Sequence, residues 1–136
     1  MDNIGKFNLI AFSVLHTCFV KFPKATEFDY EELFQEMQHF LDENSRVEKV
    51  DSEFVLGVFN HLEKLNLITF KRIGYQFITG VELTPIGLSS FDFEFKLDSK
   101  AQPKPYSGFF SDALKNVGVS VASNIMTQFL LLHARM

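Results

Sequence analysis

The alternation of hydrophobic and polar positions opens on a helix. Across residues 6–22, Phe7, Ile10, Val14 and Cys18 form one stripe at helical spacing, with Leu9, Phe12, Leu15 and Phe19 beside it. Apolar residues cover most of the circumference, leaving a narrow polar strip at Ser13, His16 and Thr17. A helix apolar on nearly all sides is central to a core or shared between two protomers. Pro23 predicts its end, because proline drives the preceding residue out of the helical region.

A second helix is predicted after Phe28. Asp29 stands at the N-cap with Glu32 three residues on, a capping-box arrangement with Asp in the Ser/Thr role, and Phe28 and Leu33 hold the staple positions. Tyr30, Leu33, Phe34, Met37 and Leu41 continue at helical spacing, opposite Glu31, Glu32, Gln35, Glu36 and His39. Residues 42–49 are polar and read as a loop. A third helix is predicted from Asp51, with Val50 and Val55 as a second staple. Val55, Val58, Phe59, Leu62 and Leu65 make its buried stripe, while Glu53, Gly57, Asn60, His61 and Lys64 face outward.

The period then changes. Residues 67–73 and 76–83 are rich in β-branched and aromatic side chains and flank Gly74-Tyr75, which predicts a strand pair. Thr84-Pro85 reads as an N-cap followed by proline at N1, opening a short helical turn. Residues 91–98 alternate strictly: Phe91, Phe93, Phe95 and Leu97 point one way and Asp92, Glu94, Lys96 and Asp98 the other. Period two predicts a strand or an extended strap over the core. Residues 99–108 hold Pro103 and Pro105 and read as a linker. In the tail, Phe110, Leu114 and Val117 make one short apolar face, Gly118 breaks it, and Val121, Ile125, Phe129 and Leu132 continue a stripe in a final helix.

Three helices followed by a two-stranded hairpin is the order of the winged helix-turn-helix superfamily, and residues 4–90 fit it. The run Leu62-Glu63-Lys64-Leu65-Asn66-Leu67-Ile68, the hairpin, and Leu83-Thr84-Pro85-Ile86-Gly87-Leu88 resemble the recognition-helix end, wing and exit turn of that class. With Gly108, Ala113-Leu114-Lys115, Gly118 and the last amphipathic helix added, the chain is similar to a group of small bacterial winged-helix-like proteins. The resemblance implies an α+β, mainly helical fold: three helices plus a β-hairpin wing, then a C-terminal extended strap and amphipathic helices. It divides the chain into a winged-helix domain (1–98), a linker (99–108) and a helical tail (109–136).

The same resemblance implies duplex DNA as a ligand. The third helix would enter the major groove with Ser52, Asn60, His61 and Lys64, and the wing would meet phosphates or the minor groove with Lys71, Arg72, Tyr75 and Gln76. Terminal helices of such proteins pair across a two-fold axis. Phe110, Leu114, Val117, Val121, Ile125, Phe129 and Leu132 are therefore expected to form a homodimer or protein-partner surface, with packing in cis as the alternative.

Charge narrows this expectation. The net charge is −4, from 17 acids and 13 bases, which excludes a uniformly basic protein that coats nucleic acid. Residues 1–98 carry nine bases and sixteen acids, a net −7, while residues 99–136 carry +3. Phosphate contacts need positive or neutral donors, so DNA binding is expected of a dimer rather than a monomer. The alternative is a non-catalytic protein–protein interaction module.

No enzyme, cofactor or metal site is expected. The chain has no phosphate-binding loop, no Gly-x-Ser-x-Gly and no His-Glu-x-x-His. Cys18 and His16 are two apart on a helix, so their side chains diverge, and His16, His39, His61 and His133 lack metal-ligand spacing. A single cysteine makes no internal disulfide, and its apolar setting predicts a buried free thiol suited to a reducing compartment. No signal peptide is visible, and the apolar runs 9–20 and 129–132 fall short of the roughly 20 residues of a membrane span. A cytoplasmic location with no membrane span is the expectation. The tail's bases, Lys100, Lys104, Lys115 and Arg135, are too sparse for a membrane-surface helix.

Overall fold

Residues 3–39, 52–74, 76–95, 102–108 and 119–134 are described by a computed structural model of the chain. They form a mostly helical α+β fold with a small antiparallel sheet.

Helix α1 (Asn3–Lys21) is the axis of the molecule. Asn8 through Leu15 are all buried, on every side of the helix, which is what the sparse polar strip of its sequence requires. Helices α2 (Tyr30–His39) and α3 (Ser52–Lys64) and the sheet pack around it, and the last helix packs along another face. By length and composition α1 would also suit a membrane span (mean hydropathy 1.2), yet 56% of that window is buried inside the chain's own fold. It ends at Lys21, two residues ahead of Pro23.

A strand absent from the expectations, β1 (Thr26–Asp29), precedes α2. Thr26 and Phe28 are buried and Glu27 is exposed, a period-two pattern. Asp29 then caps α2: its Oδ1 accepts the Glu31 N–H at 2.8 Å. The staple residues Phe28 and Leu33 are both buried. Met37, Glu36 and His39 lie in α2, but their side chains, like residues 40–51 with Leu41, Val50 and Asp51, lie outside the described structure.

Helix α3 buries Val55, Val58, Phe59 and Leu62, as its stripe predicts. It closes in a Schellman motif. Asn66 takes the left-handed conformation (φ 62°), its N–H donates to Glu63 O at 2.9 Å, and the Leu67 N–H donates to Leu62 O at 3.1 Å.

The hairpin is built on β4 (Phe77–Leu83), the central strand. One arm against it comprises β2 (Ile68–Thr69) and β3 (Arg72–Ile73), which keep one register across a gap at Phe70-Lys71. β1 pairs on the other edge, so Ile78 has Phe28 on one side and Ile73 on the other. The register of β1 shifts between Thr26 and Phe28, opposite Gly80, whose φ is 67°. A glycine in the left-handed region is the usual device for such a bulge.

Helix α4 (Pro85–Ser90) starts as expected: the Thr84 hydroxyl accepts the Gly87 N–H at 2.9 Å and Pro85 sits at N1. The same hydroxyl donates to the carbonyl of Asn66, and the Thr84 N–H donates to Leu67 O, so the exit of the hairpin is tied to the end of α3.

The strap is shorter than its alternation predicts. The N–H groups of Phe91, Asp92 and Phe93 bond to the carbonyls of Leu88, Ser89 and Ser90, so the helical turn of α4 runs on through Phe93. Phe91 is fully buried and Phe93 is 40% exposed, so the two do not share a face. Among the described residues of this segment, β5 (Glu94–Phe95) is extended, paired with β6 (Lys104–Pro105). Near the end of the expected linker 99–108, Tyr106 is buried and its N–H bonds to Phe93 O. Phe95 and Leu97, the other members of the predicted apolar face, lie outside the described side chains.

Helix α5 (Val119–Ala134) packs on α1. Ile125, Met126 and Phe129 are buried, and Asn8 Nδ2 makes a long 3.5 Å contact to Thr127 Oγ1. Two aromatic groups hold six of the 17 phenylalanines. Phe28, Phe59 and Phe70 link β1, α3 and the hairpin, with ring centroids 5.4 and 6.2 Å apart. Phe19, Phe91, Phe129 and Tyr106 link α1, the end of α4, α5 and the segment after β6, at 4.4 to 5.3 Å.

Candidate nucleic-acid interface

The outward face of α3 is polar because its inward face is spent on the core. Ser52, Asn60, His61 and Lys64 are exposed on it, together with Glu53 and Glu63. The Schellman turn at Asn66 and the Thr84 bonds set the angle at which the hairpin leaves this helix. Four of the sequence-selected residues therefore share one helix, and the rest follow on the hairpin it leads into.

At the hairpin tip the Gly74 N–H donates to Phe77 O at 2.7 Å. Lys71 is exposed, and its N–H donates to Thr79 O at 3.0 Å. Arg72 is paired through its backbone with Thr79; its side chain and all of Tyr75 lie outside the described structure. Gln76 is not simply free at the tip. Its side-chain amide reaches the Asp29 carboxylate at 3.3 and 3.4 Å, and its carbonyl accepts the Tyr30 N–H at 3.2 Å. The wing tip is thus tied to the start of α2. Ile73 and Phe77 nearby are 45% and 40% exposed, an apolar contribution that the sequence reading of the wing did not include.

His61 has a second neighbour. Its ring stands edge-on to Phe7, with centroids 5.2 Å apart and planes at 86°. The pair belongs to a shallow groove of about 450 Å³ between the start of α1 and α3, lined by Asn3, Ile4, Phe7, Phe54, Gly57, Val58 and His61. Sequence reasoning missed this groove. The available signal was Phe54, which is apolar but lies off the buried stripe, and Ile4, which precedes the first stripe and is 71% exposed.

Of the expected partner surface, Ile125 and Phe129 are buried within their own chain. Val121 and Leu132 lie in α5 with their side chains outside the described structure, and Phe110, Leu114 and Val117 are outside it altogether.

Elsewhere, chemistry is damped by burial. Cys18 is buried and burial pushes its thiol up to about 12, so the thiolate is scarce at neutral pH. Burial likewise pushes the Tyr106 phenol up to about 12 and holds the His16 imidazole below its usual 6.5. Among the described residues no group of three or more His, Cys, Asp or Glu is placed to hold a metal ion.

Comparison with protein-family models, with curated proteins and with solved structures finds no match to this chain.

Proposed function

We propose that the chain is a winged-helix protein of bacterial type that binds duplex DNA as a homodimer, in a regulatory role. The observation that carries this reading is the exposed polar face of α3, with Ser52, Asn60, His61 and Lys64, leading through a capped turn into a hairpin that bears Lys71 and Arg72. The order of three helices and a hairpin supports the winged-helix assignment. Asn and His on a helix can meet base edges, while Lys and Arg neutralise phosphates.

The dimer enters through charge. Lys64, Lys71 and Arg72 are few for one protomer, and Glu53 and Glu63 stand on the same helix as Lys64. Two protomers double the bases against one duplex. Because Ile125 and Phe129 are used inside the chain, the dimer contact is made elsewhere.

A salt titration of full-length protein against a mixed-sequence duplex tests the reading. Affinity should fall with a log–log slope of roughly −3.6 to −5.4, as about four to six phosphate contacts require. Absence of binding at about 50 mM salt, where phosphate contacts are strongest, sinks it.

A second reading, a protein-interaction module, is favoured by the groove of Ile4, Phe7 and Phe54 beside His61. It predicts that binding of a protein ligand is abolished by Ile4→Glu while DNA affinity is unchanged.

A further inference from the structure

Lys71 and Gly80 face each other in the gap of the hairpin ladder, between the pairs Thr69–Glu82 and Arg72–Thr79. A Cβ on Gly80 would lie 2.8, 2.9 and 3.0 Å from Cγ, Cβ and Cδ of Lys71. The methylene stem of the lysine therefore lies directly across the glycine backbone. The near atoms of the stem are involved, so a side chain at position 80 could not be met by a small swing of the ammonium end. Gly80 also holds a φ of 67°, which few residues tolerate. Two independent demands, conformation and space, thus converge on glycine at the position opposite Lys71.

Lys71 remains exposed as a residue. Lysine stems lie along apolar or backbone surface while the head stays in water. A flexible lysine loses rotamer freedom when a ligand fixes its ammonium, and a stem already laid in a slot has less to lose. We infer that Gly80 is a positioning residue: it opens the slot that orients Lys71, and Lys71 is the pre-ordered contact of the wing for a phosphate of a polyanionic duplex. This rests on the DNA reading above.

The test uses full-length protein, a fluorescein-labelled mixed duplex of about 20 base pairs, and a salt titration of each variant. Lys71→Ala should weaken binding several-fold at low salt and reduce the magnitude of the log–log slope by about 0.9 per site lost. Gly80→Asn accepts the left-handed backbone yet carries a Cβ, so it should weaken binding with the fold retained by circular dichroism. The decisive variant is the double mutant. It should bind within about twofold of Lys71→Ala alone, because the effect of Gly80 passes through the lysine. A merely structural role for Gly80 would make the two losses multiply. Should Gly80→Asn fail to fold, nuclear Overhauser contacts between the Lys71 methylenes and the Gly80 α-protons of the wild type decide the ordering. Wild-type protein that does not bind the duplex overturns the proposed function and this assignment with it. Wild-type protein that binds while Lys71→Ala keeps its full slope, a double mutant whose losses multiply, or a Lys71 side chain without contacts to Gly80 overturns this assignment alone.

Discussion

His16 is the titratable side chain whose burial makes stability depend on pH just below neutrality. Its ring lies parallel to Phe12 at 6.5 Å on the half-buried side of α1, and burial lowers its pKa from 6.5. The unfolded chain therefore binds this proton at a higher pH than the folded chain. Unfolding takes up the proton as pH falls through 6.5, so stability declines from there down to the folded-state pKa and is level above 6.5. Urea unfolding at about pH 7.5 and about pH 5.5 should show a larger loss of midpoint for wild type than for His16→Gln. Equal losses would mean that His16 carries no linkage. Single residues were also the most legible layer of the sequence. Asp29 and Thr84 could be read as caps because each satisfies an N–H two or three residues away. Lys71 could be noted as a wing base, but Gly80 could not be paired with it, since the two meet only through strand register.

At the scale of elements, the junction between α3, the hairpin and α4 is held by hydrogen bonds from both sides. Asn66 ends α3, Thr84 donates to the Asn66 carbonyl, and Gly87 packs against the Leu67 carbonyl. A Cβ on Gly87 would collide with that carbonyl oxygen, and the backbone on both sides is already hydrogen-bonded. Gly87→Ala should destabilise by about 3 kcal/mol in chemical denaturation, the upper end for overpacking a site that cannot yield. A loss under about 0.5 kcal/mol, the range of surface changes, would mean that the junction relaxes freely. Elements set by local signals were legible: three helices, the hairpin and the α4 turn. β1 was not, because four residues of alternation are too short a signal and its partner strand lies some fifty positions on. The strap was over-read for a related reason. The alternation of residues 91–98 is real, but the last turn of α4 holds Phe91 to Phe93 and rotates Phe93 outward.

The whole molecule is organised around α1, with α5 closing one side of it. Phe129 is fully buried and touches both Phe91 and Tyr106, so it joins three parts of the chain. Phe129→Ala should cost about 3–5 kcal/mol of unfolding free energy, as large-to-small changes in a full core do, and should lower the single cooperative transition of the full chain. A change under about 1 kcal/mol would show a tail that contributes little to the fold. The candidate site and this seam are built from different elements: α3 and the hairpin build the site, while α5 packs on α1, which in turn packs on α3. What the sequence determined by itself was the helices, the hairpin, the caps at Asp29 and Thr84 and the split of charge between acidic body and basic tail, since each depends on residues within a turn or two. What only the tertiary structure decided was that β1 joins β4, that Ile125 and Phe129 face inward in their own chain, that Phe7 and Phe54 border a groove with His61, and that Lys71 lies over Gly80. Those outcomes depend on contacts between distant residues, and an apolar stripe states that it must be covered without stating by what.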